Sequence, residues 1–151
     1  MTASMVRNGV IGGLVAGVVL ELFLLGAAML TSSASPFVLL AGLLQFNAQW
    51  AIGKAALASP SYAWLGAVVH FATCIVWGLG FVYAARSRPQ IVQAPWISGL
   101  LYGIIVWIGT QFVLVATGLW TPPTPNEAET ELIAYCVFFG LPLAYTVAKL
   151  S

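Results

Sequence analysis

Long apolar stretches separated by short polar ones dominate the pattern of this chain. A helix of about 20 apolar residues crosses a hydrocarbon core about 30 Å thick, so each long stretch predicts a transmembrane helix. The predicted fold class is an all-α integral membrane protein, a bundle of four transmembrane helices forming a single membrane domain over residues 1–151. The four predicted spans are Val6–Leu30, Tyr62–Ala85, Trp96–Leu119 and Leu132–Leu150.

The connection between the first two spans, residues 31–61, is apolar but too often interrupted to predict a clean crossing. It predicts an interfacial or re-entrant helix that ends at Ser59-Pro60, because the residue before a proline is biased away from helix. The interrupting polar residues are Gln45, Asn47, Gln49 and Lys54.

The composition agrees with a lipid-facing surface. The chain is 61% hydrophobic and only 6% charged, with a mean hydropathy of +0.99. A soluble domain carries about 25% charged residues, so the expected partner of most of this surface is the lipid bilayer. The net charge is +1 and no basic run is present, which excludes a nucleic-acid-binding role on electrostatic grounds.

The basic residues predict the orientation of the bundle. Placing both termini in the cytoplasm puts four basic residues inside and only Lys54 outside, as the positive-inside rule requires. The cytoplasmic four are Arg7, Arg86, Arg88 and Lys149, and the outer side then carries the acidic residues Glu127, Glu129 and Glu131.

The acidic residues belong to a proline-rich stretch, "TPPTPNEAETE", that precedes the fourth span. Asn126 and Glu129 have the spacing of a capping box, in which each side chain satisfies a backbone amide of the other at a helix start. The prediction is a solvated loop and helix N-terminus, with cation binding by the acids as the alternative.

Two sequence offsets indicate an internal duplication. An offset of 90 residues aligns the first span with the third, and an offset of 62 aligns the second with the fourth. The implied repeats, 6–85 and 96–150, form two helical hairpins related by a pseudo-twofold axis along the membrane normal. GxxxG rows predict close helix packing in both repeats, through Gly9, Gly13 and Gly17 in the first and Gly99 and Gly103 in the second.

Polar side chains inside the spans define the candidate site. Glu21 continues the glycine row of the first span, and Gln111 continues the equivalent row of the third, so both are expected to face the bundle. His70 lies on a face of small residues that includes Cys74. Counting about 1.5 Å per residue puts Glu21, His70 and Gln111 at one level about 12 Å from the outer ends of their spans. Tyr135 is expected one turn nearer the outer surface.

An ionisable group in hydrocarbon is costly, so it usually has a partner or a function. One interpretation is a structural hydrogen-bond network of Glu21, His70 and Gln111. Another is a site that handles protons or a small solute. A third, of low weight, is metal or haem ligation by His70, Cys74 and Glu21, although one histidine is few for such a site. No catalytic arrangement is recognisable, so neither an enzyme nor a cofactor is predicted.

A family resemblance accompanies these patterns. The stretch "WAIGKAALASPSYAWLGAVVHFATCIVWGLGFVYAAR" and the following "SGLLYGIIVWIGTQFVLV" resemble a group of uncharacterised small bacterial inner-membrane proteins. More distantly, residues 96–103 and 118–123 are similar to the YagU-like inner-membrane family. The resemblance implies a bacterial inner-membrane bundle with His70 in a recurring motif, and it implies no activity. The motif residues are Gly53, Ala55 or Ala56, Leu65-Gly66, His70-Phe71, Gly99 and Leu101-Tyr102-Gly103.

Two classes of function therefore remain open at this stage. The leading hypothesis is proton or small-solute handling at the polar intramembrane site, in a protein that assembles as a homo-oligomer. The alternative is a non-catalytic accessory subunit that packs its glycine faces against a larger membrane complex.

Overall fold

The structure is a computed structural model that describes residues 1–119, 121 and 123–151. Trp120 and Pro122, which belong to the stretch compared with the YagU-like family, lie outside the described residues. The predicted proline-rich loop is therefore described only in part.

The described residues form seven α-helices and one π-helical segment, with short 3₁₀ turns. The four helices long and apolar enough to cross a membrane are Ala3–Thr31, Pro60–Ala85, Pro95–Ala116 and Pro125–Leu150, which confirms the four-helix fold class. The individual elements are α1 (Ala3–Thr31), α2 (Pro36–Ile52), α3 (Ala63–Ala85), α4 (Gln90–Gln93), α5 (Pro95–Ala116), α6 (Pro125–Ile133), the π segment (Ala134–Gly140) and α7 (Leu141–Leu150), with 3₁₀ turns at Gly53–Ala58 and Pro60–Tyr62.

Both chain termini lie at the same end of the bundle. The Asn8 side-chain amide donates a hydrogen bond to the backbone carbonyl of Leu150 at 3.0 Å, which ties α1 to the end of α7. We call this the termini end, and the opposite end, where α1 ends at Thr31 and α5 ends at Ala116, the loop end. The four basic residues that the positive-inside rule places together belong to segments at the termini end.

Glycines bring α1 into backbone contact with α3. A Cβ atom added to Gly9 would lie 3.0 Å from the carbonyl oxygen of Gly78, and one added to Gly13 would overlap the carbonyl group of Cys74. Without a hydrophobic driving force between helices in lipid, such close approach supplies the packing energy. Gly17, the last of the row, leaves room for the side chains of His70 and Cys74.

Equivalent glycines join α5 to the π segment. A Cβ atom added to Gly99 would lie 2.8 Å from the carbonyl oxygen of Gly140, and one added to Gly103 would overlap the backbone of Tyr135 and Cys136. Offsets of 90 and 62 residues relate these contacts to those of Gly9 and Gly13. The matched contacts support the duplication, which stays a prediction.

The two hairpins join into a closed bundle. Gly12 of α1 packs against Leu143 of α7, and the Tyr102 hydroxyl of α5 donates to the Trp77 carbonyl of α3 at 2.6 Å. The half of the bundle toward the termini end is tightly filled. Its fully buried side chains are Phe81, Val106, Phe139, Leu143 and Val147.

Helix α2 is re-entrant relative to the bundle. Gly66 of α3 touches the backbone of Leu44, while Trp50 lies beside Thr73 and Trp77, so α2 runs parallel to α3. At about 1.5 Å per residue, its last turn lies about 15 Å along α3, close to half of a span. The chain then reverses at Gly53, whose φ of 65° is left-handed. A hydrogen bond from the Gln45 side chain to Ala56 O, at 3.2 Å, holds the returning segment against α2.

The last membrane-length helix begins at Pro125, seven residues before the predicted span Leu132–Leu150, and its N-cap lies two residues before the predicted N-cap Asn126. Its N-cap is Thr124, whose hydroxyl accepts from the Glu127 amide at 3.4 Å while the Glu127 carboxylate accepts from the Thr124 amide at 2.7 Å. The predicted capping box of Asn126 and Glu129 is therefore wrong. Pro125 takes the first helical position, where a missing N–H costs nothing.

A polar cavity in the loop half of the bundle

Glu21 and His70 face each other inside the bundle, with exposed fractions of only 8% and 6%. His70 Nδ1 lies 3.7 Å from Glu21 Oε2, and His70 Nε2 lies 3.1 Å from the carbonyl oxygen of Gly17. Since a carbonyl oxygen only accepts, Nε2 carries its hydrogen and donates. Nδ1 then faces the Glu21 carboxyl group, and a proton held by either group would lie between them.

Cys74 lies on the other side of the imidazole. Its sulfur is 3.7 Å from His70 Nε2, whereas Glu21 faces Nδ1. A metal ion bound to Nε2 and the Cys74 thiolate could not also bind the Glu21 carboxylate, because that carboxylate lies beside Nδ1 on the other side of the ring. Within residues 1–119, 121 and 123–151, no group of three or more His, Cys, Asp or Glu side chains could hold a metal ion. The geometry therefore gives no support to metal ligation by His70, Cys74 and Glu21.

Gln111 forms a different pair from the one expected. Instead of completing a network with Glu21, its side-chain amide donates to Glu131 Oε2 at 3.0 Å. The Trp107 indole N–H donates to the same oxygen at 3.2 Å. Glu131 was predicted to be a solvated acid near the start of the last helix, but in α6 its carboxylate faces α5 and accepts from these two donors.

Tyr135 also lies deeper in the bundle than the sequence predicted. The backbone of Tyr135 packs against Gly103, two turns along α5 from Gln111 toward the termini end. The prediction that Tyr135 lies one turn nearer the outer surface is therefore wrong. Glu131 escaped the sequence reading, although its spacing of four residues from Tyr135 would have placed both on one face of a longer helix.

These residues border one cavity of about 210 Å³ between α1, α2, α5 and α6. The cavity brings together Glu21, Gln111 and Tyr135 from the predicted set and adds Glu131 and Thr110. His70 and Cys74 border a neighbouring space of about 30 Å³ that shares Tyr135 and Thr110 with the main cavity. Helix α2 supplies one wall, through Leu43, Phe46, Asn47 and Trp50.

The cavity continues toward the loop end. A second cavity of about 240 Å³ shares Gln111 and Glu131 with the first and extends to Thr121 and Glu127. The Gln111–Glu131 hydrogen bond thus lies where the two cavities meet. Toward the termini end, the buried core that contains Phe81 and Phe139 fills the bundle.

Three buried polar atoms at this cavity have no hydrogen-bond partner among the described residues. They are both carboxylate oxygens of Glu21 and the indole nitrogen of Trp50. An unsatisfied polar atom costs about 1–3 kcal/mol in a protein interior, and native proteins retain few of them. Their convergence on one cavity indicates a binding site, since a bound group could supply the missing partners.

The fold and the cavity define a class: a small all-helical protein with four apolar helices of membrane-spanning length and a polar cavity among them. The chain belongs to the family of unknown function DUF6789, whose model matches residues 3–151. No curated protein and no solved structure matches the chain. The family agrees with the expected kinship to uncharacterised proteins and assigns no activity.

Proposed function

We propose that this protein handles protons or a small solute at the cavity bordered by Glu21, reached from the loop end. The observation that carries the proposal is the Glu21 carboxyl group, which is buried, has no hydrogen bond to any described residue and faces both His70 and the cavity. A membrane-embedded ionisable group in that position is a functional group by default.

The Glu21–His70 pair supplies the chemistry for such a role. Burial disfavours charge on either group, while their mutual attraction favours the ion pair. The balance between a neutral pair and an ion pair is therefore sensitive to whatever occupies the adjacent cavity. A solute that donates hydrogen bonds or brings a positive charge stabilises the carboxylate and releases the proton that it held.

The route through the outer cavity supports a role in handling protons or a small solute that enters from outside the bundle. Glu131 and Glu127 border the outer cavity, so a cation or a proton meets negative charge before it reaches Glu21. A purely structural network would need no such route. The second hydrogen-bonded pair, Gln111 with Glu131, stands at the junction and separates the outer cavity from the inner one.

The accessory-subunit hypothesis draws little from the packing. Its glycine faces would have to be available to a partner, but Gly9, Gly13, Gly99 and Gly103 are all covered by neighbouring helices of the same chain. Homo-oligomerisation remains compatible with the proposal.

The proposed location is the inner membrane of a bacterium, with both termini in the cytoplasm and the cavity open to the outer side. Its support is the segregation of basic residues to the termini end and the positive-inside rule. The distant similarity to the YagU-like family belongs to the same proposal and adds no activity.

The test is an infrared titration of the full chain in lipid nanodiscs. A protonated carboxyl group absorbs apart from a carboxylate, so the proposal expects a carboxyl band that titrates and disappears in Glu21→Gln. Glu129→Gln, which changes an exposed acid on α6, serves as the matched control and retains the band. Titration spectra that are identical in the wild type and in Glu21→Gln would overturn the proposal.

A further inference from the structure

We propose that the cavity binds a small organic cation, an amine in its ammonium form that carries an apolar body about the size of a benzene ring. This inference rests on the proposed function and names the class of solute that the same site takes. It draws on the charge, the hydrogen-bonding capacity and the volume of the cavity.

The charge of the lining selects a cation. Glu21 and Glu131 both border the cavity, and among the described residues that line it there is no lysine or arginine. Low-dielectric walls concentrate the negative potential of such a cleft and attract cations. Lys54, the basic residue of the α2–α3 connection, is exposed on the returning 3₁₀ segment and is not part of this lining.

The hydrogen-bonding groups select an ammonium group. Both oxygens of Glu21 accept only, and they lack donors among the described residues. An ammonium nitrogen brings several N–H donors together with the positive charge that the carboxylate needs. The Trp50 indole N–H is the complementary group, because it is a donor without an acceptor and would be satisfied by an oxygen atom on the ligand.

The size and the walls select an organic body. An engineered cavity of about 150 Å³ holds benzene, so a cavity of about 210 Å³ holds a molecule slightly larger than a benzene ring. The aromatic rings of Phe46, Trp50 and Tyr135 offer cation–π contacts. The remaining walls are mostly aliphatic and come from Leu20, Leu24, Leu43 and Leu114.

The same lining disfavours a bare metal ion. Calcium takes six to eight oxygen ligands and magnesium takes six, whereas the described lining offers two carboxylates, two amides and two hydroxyl groups on different helices, and among the described residues no three His, Cys, Asp or Glu side chains are grouped to hold a metal ion. Such a lining cannot replace the hydration shell of a hard cation. An amine with an apolar body leaves most of its surface in contact with groups of matching polarity.

The experiment measures binding to the full chain in nanodiscs by tryptophan fluorescence and isothermal titration. The probes are benzylammonium, its neutral analogue benzyl alcohol and sodium ion. We expect saturable binding of benzylammonium that is about tenfold to a hundredfold weaker in Glu21→Gln, as expected for loss of a hydrogen bond to a charged group. Glu129→Gln is the matched control and retains the wild-type affinity.

Three results would overturn the inference: equal affinity for benzyl alcohol, benzylammonium binding that Glu21→Gln leaves unchanged, or sodium that displaces benzylammonium at equal concentration. The infrared titration keeps the two proposals separate. If the carboxyl band of Glu21 titrates but benzylammonium does not bind, only the ligand class is wrong. If the band is absent, the proposed function is wrong as well.

Discussion

The two hairpins of this bundle share a frame and differ in their polar pairs. In each hairpin, glycines on the first helix meet a glycine and a cysteine-containing stretch on the second. At equivalent positions of the first helices, Glu21 faces His70, whereas Gln111 donates to Glu131. The Glu131 oxygen accepts two hydrogen bonds, while neither oxygen of Glu21 accepts one from a described residue.

This difference indicates that one polar pair stabilises helix packing and that the other keeps hydrogen-bond acceptors for a ligand. A polar pair whose side chains hydrogen-bond each other fixes the register of two helices. A buried carboxyl group without hydrogen bonds adds no stability through them, and both of its oxygens remain available to accept hydrogen bonds from a ligand. We infer that the second hairpin holds the bundle in place while the first presents the reactive group.

The largest expected effect tests the shared frame. Gly13→Ala and Gly103→Ala each drive a methyl group into a backbone carbonyl that cannot rotate away, so each lowers the free energy of unfolding by about 3 kcal/mol. Denaturant titration of the detergent-solubilised protein measures the loss. Gly26→Ala is the control without loss, because a Cβ atom there has no neighbour within 4 Å. Clearly unequal losses at Gly13 and Gly103 would break the comparison of the two frames.

A smaller effect tests the difference between the polar pairs. Glu131→Leu leaves the Trp107 and Gln111 donors without their acceptor and costs about 2 kcal/mol. Glu21→Leu removes no hydrogen bond to a described residue and costs less than about 1 kcal/mol. Thermal unfolding of both variants in the same detergent checks the order. A greater loss in Glu21→Leu would mean that the first pair is the structural one.

The smallest expected effect tests the N-cap of α6, the helix that positions Glu131. Thr124→Ala removes the N-cap side chain of α6 and costs about 1 kcal/mol, because the Glu127 backbone amide loses its acceptor and the Glu127 carboxylate loses the hydroxyl donor. Hydrogen exchange should then accelerate over residues 125–131. Thr130→Ala, which removes an exposed hydroxyl that bonds only to Asn126 O, is the control with unchanged exchange.

Hydropathy and glycine spacing were sufficient for most of the fold. The number of spans follows from length and apolarity alone, and the GxxxG rows identified the contacting faces of α1 and α5. The N-cap of the last helix was predicted two residues too late, at Asn126, because Thr124-Pro125 reads equally as a loop and as an N-cap followed by a proline at the first helical position. The choice between them depends on a reciprocal contact with Glu127 that spacing alone does not decide.

The candidate site was predictable only where the helix register was right. Glu21 and His70 meet as expected, because their spans begin close to where the pattern placed them. Gln111 faces the expected level, but its partner Glu131 was assigned to the solvated start of the last helix. The wall that α2 forms at the cavity could not be predicted, because the hydrophobic pattern of this helix does not indicate which neighbour it packs against.

In the proposed topology, the left-handed turn at Gly53 decides whether the chain crosses the membrane an even or an odd number of times. Because α2 turns back there, the chain emerges on the side where it entered, and an even number of crossings brings the two termini together. If α2 continued through the bilayer, every later segment would be inverted. The two hairpins would then be antiparallel repeats, and Glu131 would open its cavity to the opposite compartment. In the proposed topology, the side of the membrane to which the outer cavity bordered by Glu127 and Glu131 opens thus depends on the conformation of one glycine.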